Sequence, residues 1–185
     1  MLKEEIEGYI PIDEQETKDK EFILDVMEKF DDVLTRGNEI LHFTSSGFVV
    51  NKDRTKVLMI YHNIYDSWGW TGGHADGEED LLAVAIREVE EETSVKDIKA
   101  LNSGKIISLD TLPVAGHFKR GKYVSGHIHI SVAYLLEAND NDFIKIKEDE
   151  NSNVAWINIQ EVIKYSTEPH MKKVYEKIIK KIQGQ

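Results

Sequence analysis

At 185 residues the chain has room for one domain of ordinary size with a real core, and two domains are not expected. Its composition, 41% hydrophobic and 31% charged, is that of a soluble globular protein; no apolar run is long enough to span a membrane, and the first residues lack a signal peptide's apolar core. The absence of cysteine excludes disulfides and thiol catalysis and makes the cytoplasm the expected compartment, while a net charge of −11 argues against stable binding of nucleic acid. Small phosphate esters stay open, because a bound metal reverses the sign of the field locally.

In chain order, residues 17–35 carry Phe22, Ile23, Val26, Met27, Phe30, Val33 and Leu34 at helical spacing, with Gly37 punctuating the end. This predicts an amphipathic helix ahead of the main domain, so residues 1–38 are read as a helical extension packed on a domain spanning 39–185. Two strands follow, 41–50 and 56–62, joined as a hairpin by the turn-rich Asn51-Lys52-Asp53-Arg54-Thr55. Trp68-Gly69-Trp70-Thr71 leads into the Gly72-Gly73 pair, and a helix is expected from Glu79 or Asp80 to about Thr93, burying Leu81, Leu82, Ala85, Ile86 and Val89. Residues 98–112 read as extended, 123–136 as the strongest strand and 154–159 as a shorter one. Helices are expected over 159–165 and 169–182, with Pro169 in the first turn of the latter. The order implies a mixed α/β (α+β) pattern around one core.

The stretch from Gly72 to Val95 stands apart. Glu88, Glu91 and Glu92, at i, i+3 and i+4, stack three carboxylates on one helix face. Such like-charge pairs cost a few tenths of a kcal/mol each, roughly, so a cluster of this kind implies a positive partner. Oxygen-only ligands suit hard divalent cations such as Mg²⁺ or Mn²⁺. From Gly73 the spacing is glycine, five residues, Glu79, seven residues, then Arg87-Glu88-Val89-Glu90-Glu91-Glu92-Thr93-Ser94-Val95. This resembles the Nudix box of the Nudix hydrolase superfamily, G-x5-E-x7-R-E-U-x-E-E-x-G-U with U a bulky aliphatic, at eight of nine specified positions over 23 residues. The departure is Ser94, where the family has glycine.

The resemblance implies a Nudix-type α/β/α sandwich with a mixed β-sheet, here with an added N-terminal helix. It implies Glu88, Glu91 and Glu92 as metal ligands, joined by the Gly72 carbonyl, with Mg²⁺ or Mn²⁺ as cofactor. Arg87, at i, i+4 from Glu91, is expected to orient that carboxylate; Gly73 and Glu79 are expected in support, Glu79 bracing the loop. Glu90 is left to solvent. Many family members supply a general base from a loop after the box, and Glu150, beside Glu148 and Asp149, is the residue chosen. Ser94 falls where a left-handed residue commonly ends a helix, which predicts an effect on stability before chemistry. The order Asp76-Gly77-Glu78 places the loop glycine one position earlier than the common pattern.

His127 and His129 stand two apart, hence on one face of a strand. With His74 and His117 they are compatible with a zinc site. Similarity over 41–138 to a branch of Nudix proteins with a G/A-H-x-H strand points instead to the substrate pocket. Tyr65, Trp68 and Trp70 are placed either to stack a base or to pack in the core. The leading functional reading is a metal-dependent hydrolase opening a phosphoanhydride in a nucleoside diphosphate linked to another group, or a related pyrophosphate. Its partner would be that small molecule, with no membrane and no stable nucleic-acid binding, and the chain would act as a monomer or homodimer. Two alternatives share the fold: a silent nucleotide-binding sensor, which would commonly lose box glutamates, and an enzyme like isopentenyl diphosphate isomerase, which relies on a cysteine absent here.

Overall fold

The computed structural model describes residues 2–119, 121–147 and 151–184. Two helices, α1 (Leu2–Gly8) and α2 (Glu14–Lys29), precede strands β1 (Leu41–Val50), β2 (Lys56–His62), β3 (Ser67–Gly69) and β4 (Thr71–His74). Helix α3 (Leu81–Thr93) follows, then β5 (Lys99–Ala100), β6 (Ile106–Val114), β7 (His117–Lys119), β8 (Lys122–Val124), β9 (His127–Glu137), β10 (Asn151–Asn158), α4 (Val162–Tyr165) and α5 (Pro169–Gln183). The main sheet runs β10-β2-β1-β9-β5, with β3 on β2, β4 on β1 and β6 on β9. Among the described residues only the β1–β9 pairing of the main sheet is parallel, so the sheet is mixed.

Strand β1 is buried along its whole length because both of its faces are covered. Phe43 and Val49 point into a core shared with α3 and the apolar residues of α1 and α2, whereas Phe48 and Val50 point into one shared with α4 and α5. Helices on both faces of a mixed sheet make the α/β/α sandwich expected. The 41–50 and 56–62 strands and the hairpin between them also hold, with Val50 opposite Val57.

Three expectations need correction. The 17–35 helix begins earlier, where the Asp13 side chain accepts a hydrogen bond from the Glu16 amide (2.8 Å), and ends at Lys29. Beyond it Phe30 is extended, and the Val33 carbonyl accepts from the Phe43 amide at 2.8 Å, so Val33 is buried by docking on β1 rather than by a helical stripe; Phe22 and Phe30 are exposed. The 123–136 segment is split at Ser125-Gly126: Lys122–Val124 turns back to pair with β7, and the long strand starts at His127. The 98–112 stretch is likewise interrupted, by a 3-10 turn at Asn102–Gly104.

Helix α2 is tied to the rest by buried charge. Glu16, with no exposed side-chain surface, takes Lys177 at 3.0 Å and Lys181 at 2.8 Å from α5, and the Tyr9 hydroxyl donates to it at 2.6 Å. Lys177 also reaches Asp110 of β6 at 2.6 Å. Burial alone would raise the Glu16 pKa, but hydrogen bonds from Lys181 and Tyr9 and the nearby Lys177 charge outweigh it and hold the carboxyl below its ordinary value.

Candidate active site

The glycine pair is the hinge of the site. Gly72 and Gly73 lie in β4 opposite Ser46 and Ser45 of β1, leaving no room for side chains. A Cβ at Gly72 would stand 2.7 Å from the Ser45 carbonyl oxygen, and one at Gly73 would collide with the Glu88 carboxylate. Backbone can therefore approach the acidic face of α3 closely. That helix is started by Asp80, whose side chain accepts from the Ala83 amide at 3.0 Å, and stopped by Ser94 in the left-handed region (φ 64°), whose amide donates to the Glu90 carbonyl at 2.9 Å. Ser94 thus takes the backbone conformation for which the family's glycine is suited.

Along α3 the three carboxylates differ in setting. Glu92 is 3% exposed and accepts the Gly72 amide at 2.9 Å; Glu88 is half-buried against Gly73; Glu91 is exposed and lies 3.4 Å from the Lys147 ammonium. All three open on one cavity of about 830 Å³. Its walls also carry Gly72, Gly73, Arg36, Lys147, Trp70 and Ser131. His74 of β4 and His127 and His129 of β9 line it as well, and their rings pack against buried His42 of β1. His42 is opposite His129 in the parallel pairing, and His74 is opposite Thr44. Ring centroids of His42 lie 5.1 Å from His74, 5.0 Å from His127 and 5.2 Å from His129.

The NUDIX domain family matches residues 41–178, three-quarters of the chain, including the box helix and the four histidines. The chain belongs to the NUDIX domain family. A relative from Pelagibacter ubique (strain HTCC1062), named RNA pyrophosphohydrolase, is 30% identical over 117 residues, covering 62% of this chain and 74% of that protein. Among solved structures, a C. elegans Ap4A hydrolase superposes with a TM-score of 0.57 at 20% identity, over 77% of this chain and 98% of that one. A Nudix hydrolase from M. smegmatis gives 0.55 at 12% identity, over 77% and 86%. At such identities these structures speak for the fold. With that membership the protein is a hydrolase of the Nudix type, as its box implied.

Within the Nudix box two supporting roles change. Arg87 does not orient Glu91; its guanidinium pairs with Glu78 at 2.7 Å, and that contact, followed by the wider charge of Glu78, Glu88 and Glu91, raises its pKa. The loop places Glu78 within reach, because Asp76 (φ 48°) and Gly77 (φ 95°) both turn left-handed. Glu79 is exposed and lies beside Leu2, Glu4 and Glu5 rather than on the main cavity, so Glu78 is the residue that braces the loop. Arg36 holds the same loop from the N-terminal side through two bonds to Asp76, at 2.8 and 2.6 Å. Nothing in the sequence marked Arg36, since its partner lies forty residues away. Glu150 falls outside the described residues. Of the described residues flanking it, Asn151 donates to the Glu92 carbonyl at 3.1 Å and Lys147 reaches Glu91, so both contact the box helix.

The aromatic candidates separate. Trp70 lines the cavity and meets the Tyr175 ring edge-on at 5.5 Å. Trp68 is not among the residues that line it; its ring contacts Tyr61 at 5.6 Å and Tyr165 at 6.3 Å, the packing alternative of the two readings. His127 and His129 do face the cavity, but the residues that join them are His42 and His74, while His117 stays outside the group on β7. Glu168, which sequence reasoning passed over, also lines the cavity, with its pKa raised by burial. His42 is 4% exposed, and burial keeps its imidazole below the usual pKa, partly offset by its bond to the Asn38 carbonyl.

Proposed function

We propose that this protein is a divalent-metal-dependent pyrophosphohydrolase that opens a phosphoanhydride bond in a nucleoside diphosphate linked to another group, or in a related pyrophosphate. The observation that carries the reading is the convergence of Glu88, Glu91 and Glu92 on one cavity beside the glycine pair. An all-oxygen donor set of this kind fits Mg²⁺ or Mn²⁺, held by the three carboxylates with the Gly72 carbonyl. When bound, such cations neutralise phosphate oxygens and favour attack by water.

The chain's own residues do the rest. Glu92 is held by the Gly72 amide, so its orientation is set before any ligand arrives. Lys147 and Arg36 bring positive charge to the walls for a phosphate chain, and Trp70 offers an aromatic surface. Glu150 is the base we assign to the attacking water. In this reading residues 1–38 are an extension packed on the catalytic domain of 39–185, and the enzyme works in the cytoplasm as a monomer or homodimer. Its substrate is a small molecule, since the net charge of −11 opposes a long polyanion.

Purified protein with Mg²⁺ or Mn²⁺ should release nucleotide or phosphate from some member of a panel of diphosphate substrates. The panel should include an RNA bearing a 5′-terminal phosphoanhydride, given the relative's name. Glu91→Gln and Glu92→Gln should each lower turnover by about 100-fold or more, in the range seen when one electrostatic contributor is removed. Gln at position 92 can still accept the Gly72 amide, so the fold should survive. Full turnover in both variants, or no hydrolysis across the panel, would overturn the proposal.

A further inference from the structure

The histidines that line the cavity, together with buried His42 packed against them, have a donor chemistry distinct from that of the Nudix carboxylates. His42, His74 and His129 each offer a ring nitrogen, and these three nitrogens lie within 4.8 Å of one another. They come from three adjacent strands, β1, β4 and β9, whose pairing fixes their spacing. We propose that they form a separate nitrogen site for a transition-metal cation, with Zn²⁺ the best match, next to the oxygen site on α3.

Two further observations point the same way. His42 is 4% exposed, and its Nδ1 lies 2.9 Å from the Asn38 carbonyl oxygen, to which it donates as N–H. Its Nε2 is then a bare acceptor, and this atom is buried with no hydrogen-bond partner. Buried polar atoms are normally satisfied, and a histidine that donates one nitrogen to a carbonyl while directing the other at its neighbours is the usual arrangement of a metal ligand. The second observation is His127. Its Nδ1 sits 2.9 Å from the Ser125 carbonyl oxygen and its Nε2 3.2 Å from the Nε2 of His129. With Nδ1 donating to that carbonyl, His127 Nε2 accepts the Nε2–H of His129 and leaves His129 Nδ1 for the cation, as an outer-shell partner does.

The donor set decides the ion. Three imidazoles suit Zn²⁺, which takes nitrogen at about 2.0–2.1 Å, and suit Mg²⁺ poorly. Ligand nitrogens about such an ion stand about 3.3 Å apart, so nitrogens within 4.8 Å of one another must draw in by up to about 1.5 Å to meet it. His74 and His129 are half-buried and line the cavity, so the cation would keep an open position facing whatever fills it, the pattern of three-ligand sites. The proposal concerns binding of the cation and does not depend on the hydrolase reading.

The test uses the full chain, freed of metal by a chelator and titrated with Zn²⁺ alone, followed by calorimetry and by metal content after desalting. One Zn²⁺ per chain is expected, retained in a large excess of Mg²⁺, and Co²⁺ in its place should show the visible absorption of a nitrogen-ligated ion. His129→Asn and His74→Asn should each weaken Zn²⁺ binding by about 100-fold, and His127→Ala by about 10-fold. The double variant Glu91→Gln/Glu92→Gln should bind Zn²⁺ as the parent does. His74 lies half-exposed on the wall, so its variant keeps the test informative even where a change at buried His42 prevents folding; circular dichroism confirms the fold of each. Failure of the parent to retain Zn²⁺ would overturn the proposal. So would unchanged binding in both asparagine variants, or binding lost only in the glutamine double variant.

Discussion

Neighbouring glycines in β4 should respond to the same substitution in opposite ways. In Gly72→Ala the new methyl group meets main chain: the Ser45 carbonyl oxygen would be 2.7 Å away and Ser46 Cα 3.0 Å. Neither can move without shifting β1, the central strand, so the cost should be that of overpacking, about 1–3 kcal/mol. For a chain of 185 residues that corresponds to a fall in Tm of about 2–12 °C, at about 2–4 °C per kcal/mol. In Gly73→Ala the obstacle is only the carboxylate end of Glu88, a flexible side chain that can swing away. Stability should change by less than about 1 kcal/mol, the scale on which ordinary surface substitutions act. Activity should suffer instead if Glu88 holds the metal as proposed, because displacing a ligand carboxylate by about 1 Å costs about 100-fold in rate. Thermal and urea unfolding, together with turnover on the best substrate of the panel, separate the two effects. The reasoning fails if Gly73→Ala is fully active, or if Gly72→Ala melts with the parent.

Other substitutions probe the frame around the site. Ser94→Gly should stabilise the protein by about 1 kcal/mol in urea unfolding, because serine at φ 64° pays the steric penalty of the left-handed region. Lys177→Ala would leave Glu16 and Asp110 with one fewer buried cation and should destabilise by about 3–5 kcal/mol, read from the same denaturation curves. Glu16 also gives a pH signature. Its folded pKa is held below the unfolded value, so its contribution is present above the ordinary carboxylate range and is lost as pH falls through the lowered folded value. Acid unfolding of Glu16→Gln should therefore depend less steeply on pH than that of the parent.

Much of the outcome was written locally. Turn residues between two extended segments located β1, β2 and their hairpin, and Pro169 marked the start of α5, because those signals act over a few residues. The Nudix box was legible for the same reason. Its carboxylates share a face by helical periodicity, and its glycines reflect crowding within one short strand and helix. Ser94 fell where a left-handed residue commonly ends a helix, and the structure shows that serine takes that conformation. By contrast, the end of α2 was misjudged, since the apolar spacing of Phe30, Val33 and Leu34 continues a helical pattern that docking on β1 overrides.

What the sequence determined by itself was therefore the chemistry of the box and the character of most elements. Tertiary structure alone decided which distant residues meet. Arg87 turned to Glu78 because the loop before the helix curls back, a geometry that helical spacing does not contain. Arg36 reached Asp76, and Lys177 reached Glu16, across segments with no common periodicity. His42 carried no signal of its own in the chain, and it joined His129 only through the parallel register of β1 with β9. Strand register is set by the summed packing of two whole faces, and no local pattern encodes it.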